Sequence, residues 1–292
     1  MHRVRRTLGA KRPIAGAFMA PAQTKKGPTM LLAVDVGNTN IVLAVYRRGQ
    51  GDEPLVDHWR IRTDRDRTTD ELGMLVKELI LHSGHQLADI HHVAISSVVP
   101  TMNETLADFA RRYLCVEPFF VTSKVDSGIA ILYQPPTDVG ADRICNAVGA
   151  FAKYGGPAIV VDFGTATTFD AIAANGDYIG GAILPGIGIS MDALFKQAAR
   201  LYRVEFAAPP DAIGRNTVHA MQSGLVFGFA GQTDAMVERF RRELGASARV
   251  IATGGLAELI QKESRTIELV DQLVTLDGLR LVFERHARLT GD

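Results

Sequence analysis

The stretch Asp35-Val36-Gly37-Asn38-Thr39-Asn40 decides how this chain folds. It lies between two apolar runs, Leu31 to Val34 and Ile41 to Tyr46. An acidic residue leaves a strand, a glycine permits the bend and small polar residues lead into the next strand, which predicts a hairpin. Backbone N–H groups exposed in such a bend form a cradle for a phosphate. The same order returns at Val160-Val161-Asp162-Phe163-Gly164-Thr165-Ala166-Thr167-Thr168-Phe169-Asp170. One copy alone is ordinary turn chemistry, because Asp, Asn and Gly are the usual residues of tight bends. Two copies, each after an apolar strand and before another β-branched run, predict two hairpins facing each other across a nucleotide cleft.

A third element, Val250-Ile251-Ala252-Thr253-Gly254-Gly255-Leu256-Ala257, is a short strand that ends in Thr-Gly-Gly before a helical pattern. Paired glycines let a backbone approach a flat ligand or a phosphate, and a helix start adds a favourable dipole. The three elements in this order resemble the acetate/sugar kinase, Hsp70 and actin superfamily. That resemblance implies an α/β fold of two actin-like (ribonuclease H-like) domains with a nucleotide cleft between them. The domains are expected at residues 30–150 and 151–292.

Composition fits. A chain of 292 residues with 47% hydrophobic content can bury a core large enough for two domains. Lys plus Arg and Asp plus Glu number 32 each, so bulk charge gives no case for nucleic acid or an anionic membrane as partner. No apolar run approaches the roughly 18 residues needed to cross a bilayer. Cys115 and Cys145 lack zinc-type or C-x-x-C spacing, which points to a reducing compartment and packing roles. The expected location is the cytoplasm. Residues 1–29 carry seven Arg and Lys residues from Arg3 to Lys26, with no acid and no periodicity. A targeting peptide, a basic arm and an extension upstream of a start at Met30 all fit; the last is favoured, with disorder as the physical state.

Beyond the first hairpin, helical spacing at Leu72, Leu75, Val76, Leu79 and Ile80 predicts a helix over 69–83. A strand over 92–99, a helix over 102–114 and a strand over 117–122 follow, an alternation typical of α/β layering. Gly180 to Gly188 reads as a loop that passes close to ligand or partner, with a purely structural bend as the alternative. In the long helical stretch from Thr217 to Leu244, Gly224, Gly228 and Gly231 share a face suited to close packing, with a homodimer interface as one use. The histidines show no paired-ligand spacing, which argues against a transition metal.

Tyr133-Gln134-Pro135-Pro136-Thr137-Asp138-Val139-Gly140-Ala141-Asp142-Arg143 carries the functional reading. The prolines enforce an extended entry, Gly140 permits a turn, and Asp142 and Arg143 open a helix. An Asp in a first helical turn is favoured by the dipole, so capping explains it equally well. Capping does not explain the adjacent Arg143. Beside a γ-phosphate, the carboxylate would take the proton of an acceptor hydroxyl while Arg143 orients a polar or anionic substrate.

With D-V-G-N-T-N, Y-x-x-P-x-x-x-G-A-D-R, V-V-D-F-G-T-A-T-T-F-D, G-G-A-I-L-P-G, I-G-R-N-T, Q-S-G and A-T-G-G in place, the chain resembles the type III pantothenate kinases, also named for the Bvg accessory factor, from Met30 to about Glu284. The resemblance implies ATP-dependent phosphorylation of pantothenate to 4′-phosphopantothenate, the first step towards coenzyme A. It implies that Asp35, Val36, Gly37, Asn38, Thr39, Asn40, Ile41 and Val42 form the first ATP loop and that Thr165 touches ATP. Asp142 would be the catalytic base. Tyr133, Gly140, Ala141, Asp142, Arg143 and Thr217 would line the pantothenate pocket. Asp162 would bind a monovalent cation, potassium or ammonium, and Asp35 is the candidate to meet Mg²⁺ through water, since Mg²⁺ keeps several waters and takes one or two carboxylates. Two alternatives stay open: a kinase of this fold acting on another small hydroxyl substrate, and a regulatory ATP-binding protein.

Overall fold

The computed structural model describes residues 29–48, 54–198 and 201–291. The expectations for the basic stretch 1–28 lie outside the described residues.

Two five-stranded sheets share one topology. In the first, β1 (Met30–Val36) pairs antiparallel with β2 (Asn40–Arg47), which pairs antiparallel with β3 (Leu55–Arg62). On its other side β1 pairs parallel with β4 (Ile90–Ser97), and β4 with β5 (Pro118–Phe120). The second sheet repeats this order: β6 (Ala158–Phe163), β7 (Ala166–Ile172) and β8 (Tyr178–Pro185) form the antiparallel side. Strands β9 (Arg249–Thr253) and β10 (Leu269–Val270) form the parallel side. The duplication expected from the two hairpins is therefore a duplication of whole sheets.

Alternation along the strands sorts the cores, because successive side chains point to opposite faces. From β1, Leu32, Val34 and Val36 pack outward with α1 (Thr69–His82) and α2 (Asn103–Phe109), through Leu72, Val76 and Phe109. The start of α1 is fixed by a capping box in which Thr68 and Glu71 satisfy each other's backbone N–H groups. In the second sheet Ile159, Val161 and Phe163 pack outward with α5 (Thr217–Leu244), α6 (Ala257–Gln261) and α4 (Ile187–Gln197).

The inner faces share a third core. Leu31 and Ala33 of β1 and Val160 and Ile172 of β6 and β7 belong to one buried cluster, filled by α3 (Ala141–Tyr154) and α7 (Val274–Thr290). The two helices cross backbone to backbone. A Cβ on Gly149 would overlap the Val274 carbonyl, and one on Gly278 would overlap the Cys145 carbonyl. Only glycine fits such a crossing. Around it, Lys153 of α3 reaches Asp271 at 2.6 Å and Asp277 at 2.7 Å, while the Tyr46 hydroxyl of β2 donates to Asp277 at 3.1 Å.

Some local expectations change. The stretch read as a loop from Gly180 is mostly strand β8, running to Pro185. Its Gly181 lies so close to the Phe169 carbonyl and the Arg143 guanidinium that a Cβ would collide with both. The helix expected over 102–114 is α2 followed by a π-helical segment, Ala110–Leu114, closed by Cys115 in the left-handed region at φ 56°. Cys145 is buried in packing as expected, whereas Cys115 is exposed. Strand β3 had no counterpart in the sequence reading.

Candidate active site

Asp35 and Asp162 stand at equivalent places, near the ends of the central strands β1 and β6 and on their inner faces. In the first sheet, register puts Asp35 opposite Ser96 of β4, whose hydroxyl donates to Asp35 Oδ1 at 2.8 Å. In the second, Asp162 lies opposite Thr168 and Thr253. The turns after them close differently. Gly37 N–H donates to the Asn40 carbonyl at 3.0 Å, and Gly164 N–H donates to the Ala166 carbonyl at 3.0 Å, so the second loop is one residue tighter. The loops meet across the cleft, where the Thr39 and Thr165 hydroxyls are hydrogen-bonded at 2.8 Å.

The Thr-Gly-Gly element completes this arrangement. Gly254 has φ +93°, and a Cβ there would stand 2.6 Å from Asp162 Oδ1 and 2.7 Å from the Phe163 backbone. Its lack of a side chain lets the end of β9 lie directly on the second hairpin.

Helix α3 begins at the same end of the molecule. Gly140 is its N-cap and Asp142 lies in the first turn, with Asp142 Oδ1 accepting from the Arg143 N–H at 2.8 Å. Burial holds the Asp142 carboxyl above the usual carboxylate range. Asp35 and Asp162 are each pushed up to about 7, first by burial and next by the charge of Asp142. Three carboxylates therefore converge on one cleft, where low dielectric and mutual repulsion favour their neutral forms. Asn146, one turn beyond Asp142, is buried; its Oδ1 accepts from Thr275 at 2.6 Å, and its side chain also favours the ionised form of Asp162.

Arg143 is tied more firmly than its sequence position implied. Its Nε donates to Asp170 Oδ1 at 2.6 Å and one terminal nitrogen donates to the Phe169 carbonyl at 3.1 Å. The Tyr178 hydroxyl also donates to Asp170 Oδ1, at 3.1 Å, and the Tyr133 ring lies 6.4 Å from the Tyr178 ring. Burial lifts Asp170 to about 6 despite the guanidinium beside it. Tyr133, Gly140, Ala141, Asp142 and Arg143 are thus brought to one region. Thr217 is exposed and lines another depression, between α4 and α5, with Pro185, Leu194 and Met221. No hydrogen bond among the described residues joins it to the others.

Sequence reasoning assigned no role to Ser96, Asn146 or Asp170. Asp170 carried a signal, a charge inside an otherwise apolar strand. Ser96 carried none, because only the parallel register places it beside Asp35.

Among the described residues no three His, Cys, Asp or Glu side chains form a ready-made metal cage. The cleft suits Mg²⁺ in another way: raised, repelling carboxylates offer hard oxygen ligands to an ion that completes its shell with water and phosphate.

Two sheets of identical order, with facing hairpins and an acid at the start of the connecting helix, define a duplicated, actin-like α/β fold. Solved structures agree on the fold: a Baf family transcriptional activator from Campylobacter jejuni has a TM-score of 0.53 at 18% identity over 88% of this chain and 99% of that one. The activator of 2-hydroxyisocaproyl-CoA dehydratase from Clostridium difficile, with bound ADPNP, has a TM-score of 0.50 at 13% identity over 90% and 98%. Sequence comparison is more specific. The type III pantothenate kinase profile matches residues 31–239. Type III pantothenate kinases from Myxococcus xanthus and Anaeromyxobacter sp. are 51% and 53% identical over 257 residues, 88% of this chain and 99% and 100% of theirs. The chain belongs to the type III pantothenate kinase family.

Proposed function

We propose that this protein transfers the γ-phosphoryl group of ATP to the primary hydroxyl of pantothenate, giving 4′-phosphopantothenate for coenzyme A synthesis. The observation that carries the reading is the meeting of the two hairpins at Thr39 and Thr165, at the same end of the molecule as Asp142. Phosphoryl transfer asks chiefly for positioning and charge neutralisation. The hairpin N–H groups hold phosphates, and Asp142 takes the proton of the attacking hydroxyl. Burial raises its pKa, which makes the carboxylate a stronger base than an exposed one. Asp35 is the carboxylate that would hold Mg²⁺, which when bound would neutralise charge at the phosphates. The Arg143, Asp170, Tyr178 and Tyr133 group forms a polar wall for the acceptor. ATP turnover should require pantothenate. Equal turnover with glycerol, hexoses or acetate would sink the assignment.

Two finer points belong to the same reading. Asp162 is assigned a potassium or ammonium ion, supported by its position beside the second turn, where a Cβ on Gly164 would lie 3.5 Å from both Asp162 Oδ1 and the Ala166 carbonyl. Activity in potassium should then exceed activity in sodium alone; equal rates rule the ion out. A homodimer is the expected assembly. Ile189, Leu194, Phe195 and Ile213 are exposed around α4 and α5, and Cβ atoms on Gly224, Gly228 and Gly231 would meet open space. A monomer by sedimentation at micromolar concentration rules it out.

A further inference from the structure

The segment after β2 has no part in the reading above, yet it borders the first hairpin along its length. Thr63 Oγ1 donates to the Gly37 carbonyl at 2.6 Å, Thr63 N–H donates to the Thr39 carbonyl at 2.9 Å, and Arg65 donates to Asn38 Oδ1 at 2.9 Å. These groups brace the loop and are used in doing so. Arg60 differs. Register pairs Arg60 with Val42, Val42 with Asp35 and Asp35 with Ser96, so all four stand in one row across the first sheet. Directly paired residues share a face, which puts Arg60 on the cleft side with Asp35.

From there the guanidinium reaches across the cleft. One terminal nitrogen of Arg60 would be 3.5 Å from a Cβ placed on Gly255, next to the Gly254 that packs on Asp162. Its charge favours the ionised forms of both Asp35 and Asp162. It nevertheless forms no hydrogen bond or ion pair with any described residue, and its side chain is exposed. A guanidinium with its donors uncommitted, held between both sheets at the mouth of an acidic cleft, has the fork geometry that fits phosphate oxygens. A polyphosphate entering among Asp35, Asp142 and Asp162 meets three carboxylates, and Arg60 offsets part of that repulsion.

We propose that Arg60 is a further catalytic residue of this enzyme, contacting the polyphosphate of the bound nucleotide from the first sheet. The proposal rests on reading the cleft as the ATP site. It places Arg60 on the phosphates, away from adenosine and from the acceptor.

The test measures binding of ATP, ADP and AMP with Mg²⁺ by calorimetry, and steady-state kinetics, for wild type, Arg60→Ala, Arg60→Gln and Arg60→Lys. Loss of a charge-assisted contact should weaken ATP binding roughly 10- to 100-fold in the alanine and glutamine variants. AMP binding and the KM for pantothenate should stay unchanged, and lysine should restore part of the loss. If the alanine variant does not fold, glutamine and lysine carry the comparison. Unchanged ATP affinity, or an equal loss for AMP and ATP, overturns the role of Arg60. A wild-type protein that binds no ATP overturns the reading of the cleft and the proposal together, which separates the two failures.

Discussion

The two hairpins occupy equivalent positions in two sheets of the same order, yet they are held in place by different means. The first, Gly37 to Asn40, is braced by side chains: Thr63 and Arg65 hydrogen-bond to its backbone and to Asn38, and Ser96 holds Asp35. The second, Gly164 to Ala166, is one residue shorter and is packed against backbone at Gly254 and Gly186, where any side chain would collide. One phosphate loop is set by hydrogen bonds and the other by close packing. Duplicated topology therefore fixes where a loop stands, while local chemistry decides how it is kept there.

Four measurements sharpen or break this comparison. Asp142 is the point where the two sides are alike, since its charge raises both Asp35 and Asp162. Asp142→Asn should lower kcat by roughly 10²- to 10⁴-fold, the usual worth of a general base, while ATP binding persists. Near-normal kcat would reduce Asp142 to a helix-capping residue.

The second measurement touches one side only. Gly254→Ala adds a side chain at φ +93° and against the Phe163 backbone, so it should cost about 2–5 kcal/mol of stability by denaturant unfolding. Loss of less than about 1 kcal/mol would show that the second loop has slack and that the contrast is false.

Acid is the third probe. Asp35 and Asp162 have folded pKa values of about 7 against a reference of 3.8, so the folded state binds their protons more tightly than the unfolded chain. Their penalty is present in full above about pH 7 and is relieved as pH falls towards 4. The ligand-free protein should melt higher at pH 5.5 than at pH 8, and Ser96→Ala should enlarge the difference by removing a bond that favours the Asp35 anion. A melting temperature that falls steadily from pH 8 to 5.5 contradicts the burial of this charge.

The smallest effect belongs to the braces. Thr63→Val removes one hydrogen bond to the Gly37 carbonyl and should cost about 0.5–1.5 kcal/mol, with a modest rise in the KM for ATP. No change in either quantity would mean that the first loop holds its shape without help.

What the sequence made legible follows the same division. Asp35, Gly37, Asp162 and Gly164 were readable because strand, acid, glycine and small polar residue form a local pattern. Asp142 and Arg143 were readable because they open a helix after a proline-enforced extension. Asp170 was visible as a charge in an apolar strand, but its partner Arg143 lies on a helix and could be found only in three dimensions. Ser96 and Arg60 were invisible for a stricter reason: each meets the site through strand register, which links residues far apart in the chain and leaves no local mark. Strand β3 was missed likewise, since it forms the edge of the sheet and mixes charged with apolar residues.

The crossing of α3 and α7 at Gly149 and Gly278 also sets an order of events during synthesis. Leu31 and Ala33 leave the ribosome early, but the 17-residue helix that covers their face follows every strand of both sheets in the chain. Until residue 290 has emerged, the inner surface of the first sheet lacks α7, and the groove along α3 that fits Gly278 is empty. The growing chain thus carries an open apolar seam for most of its translation, a surface for chaperones to shield. Docking of α7 closes that seam after all the strands have been made, joining the inner faces of both sheets in one core.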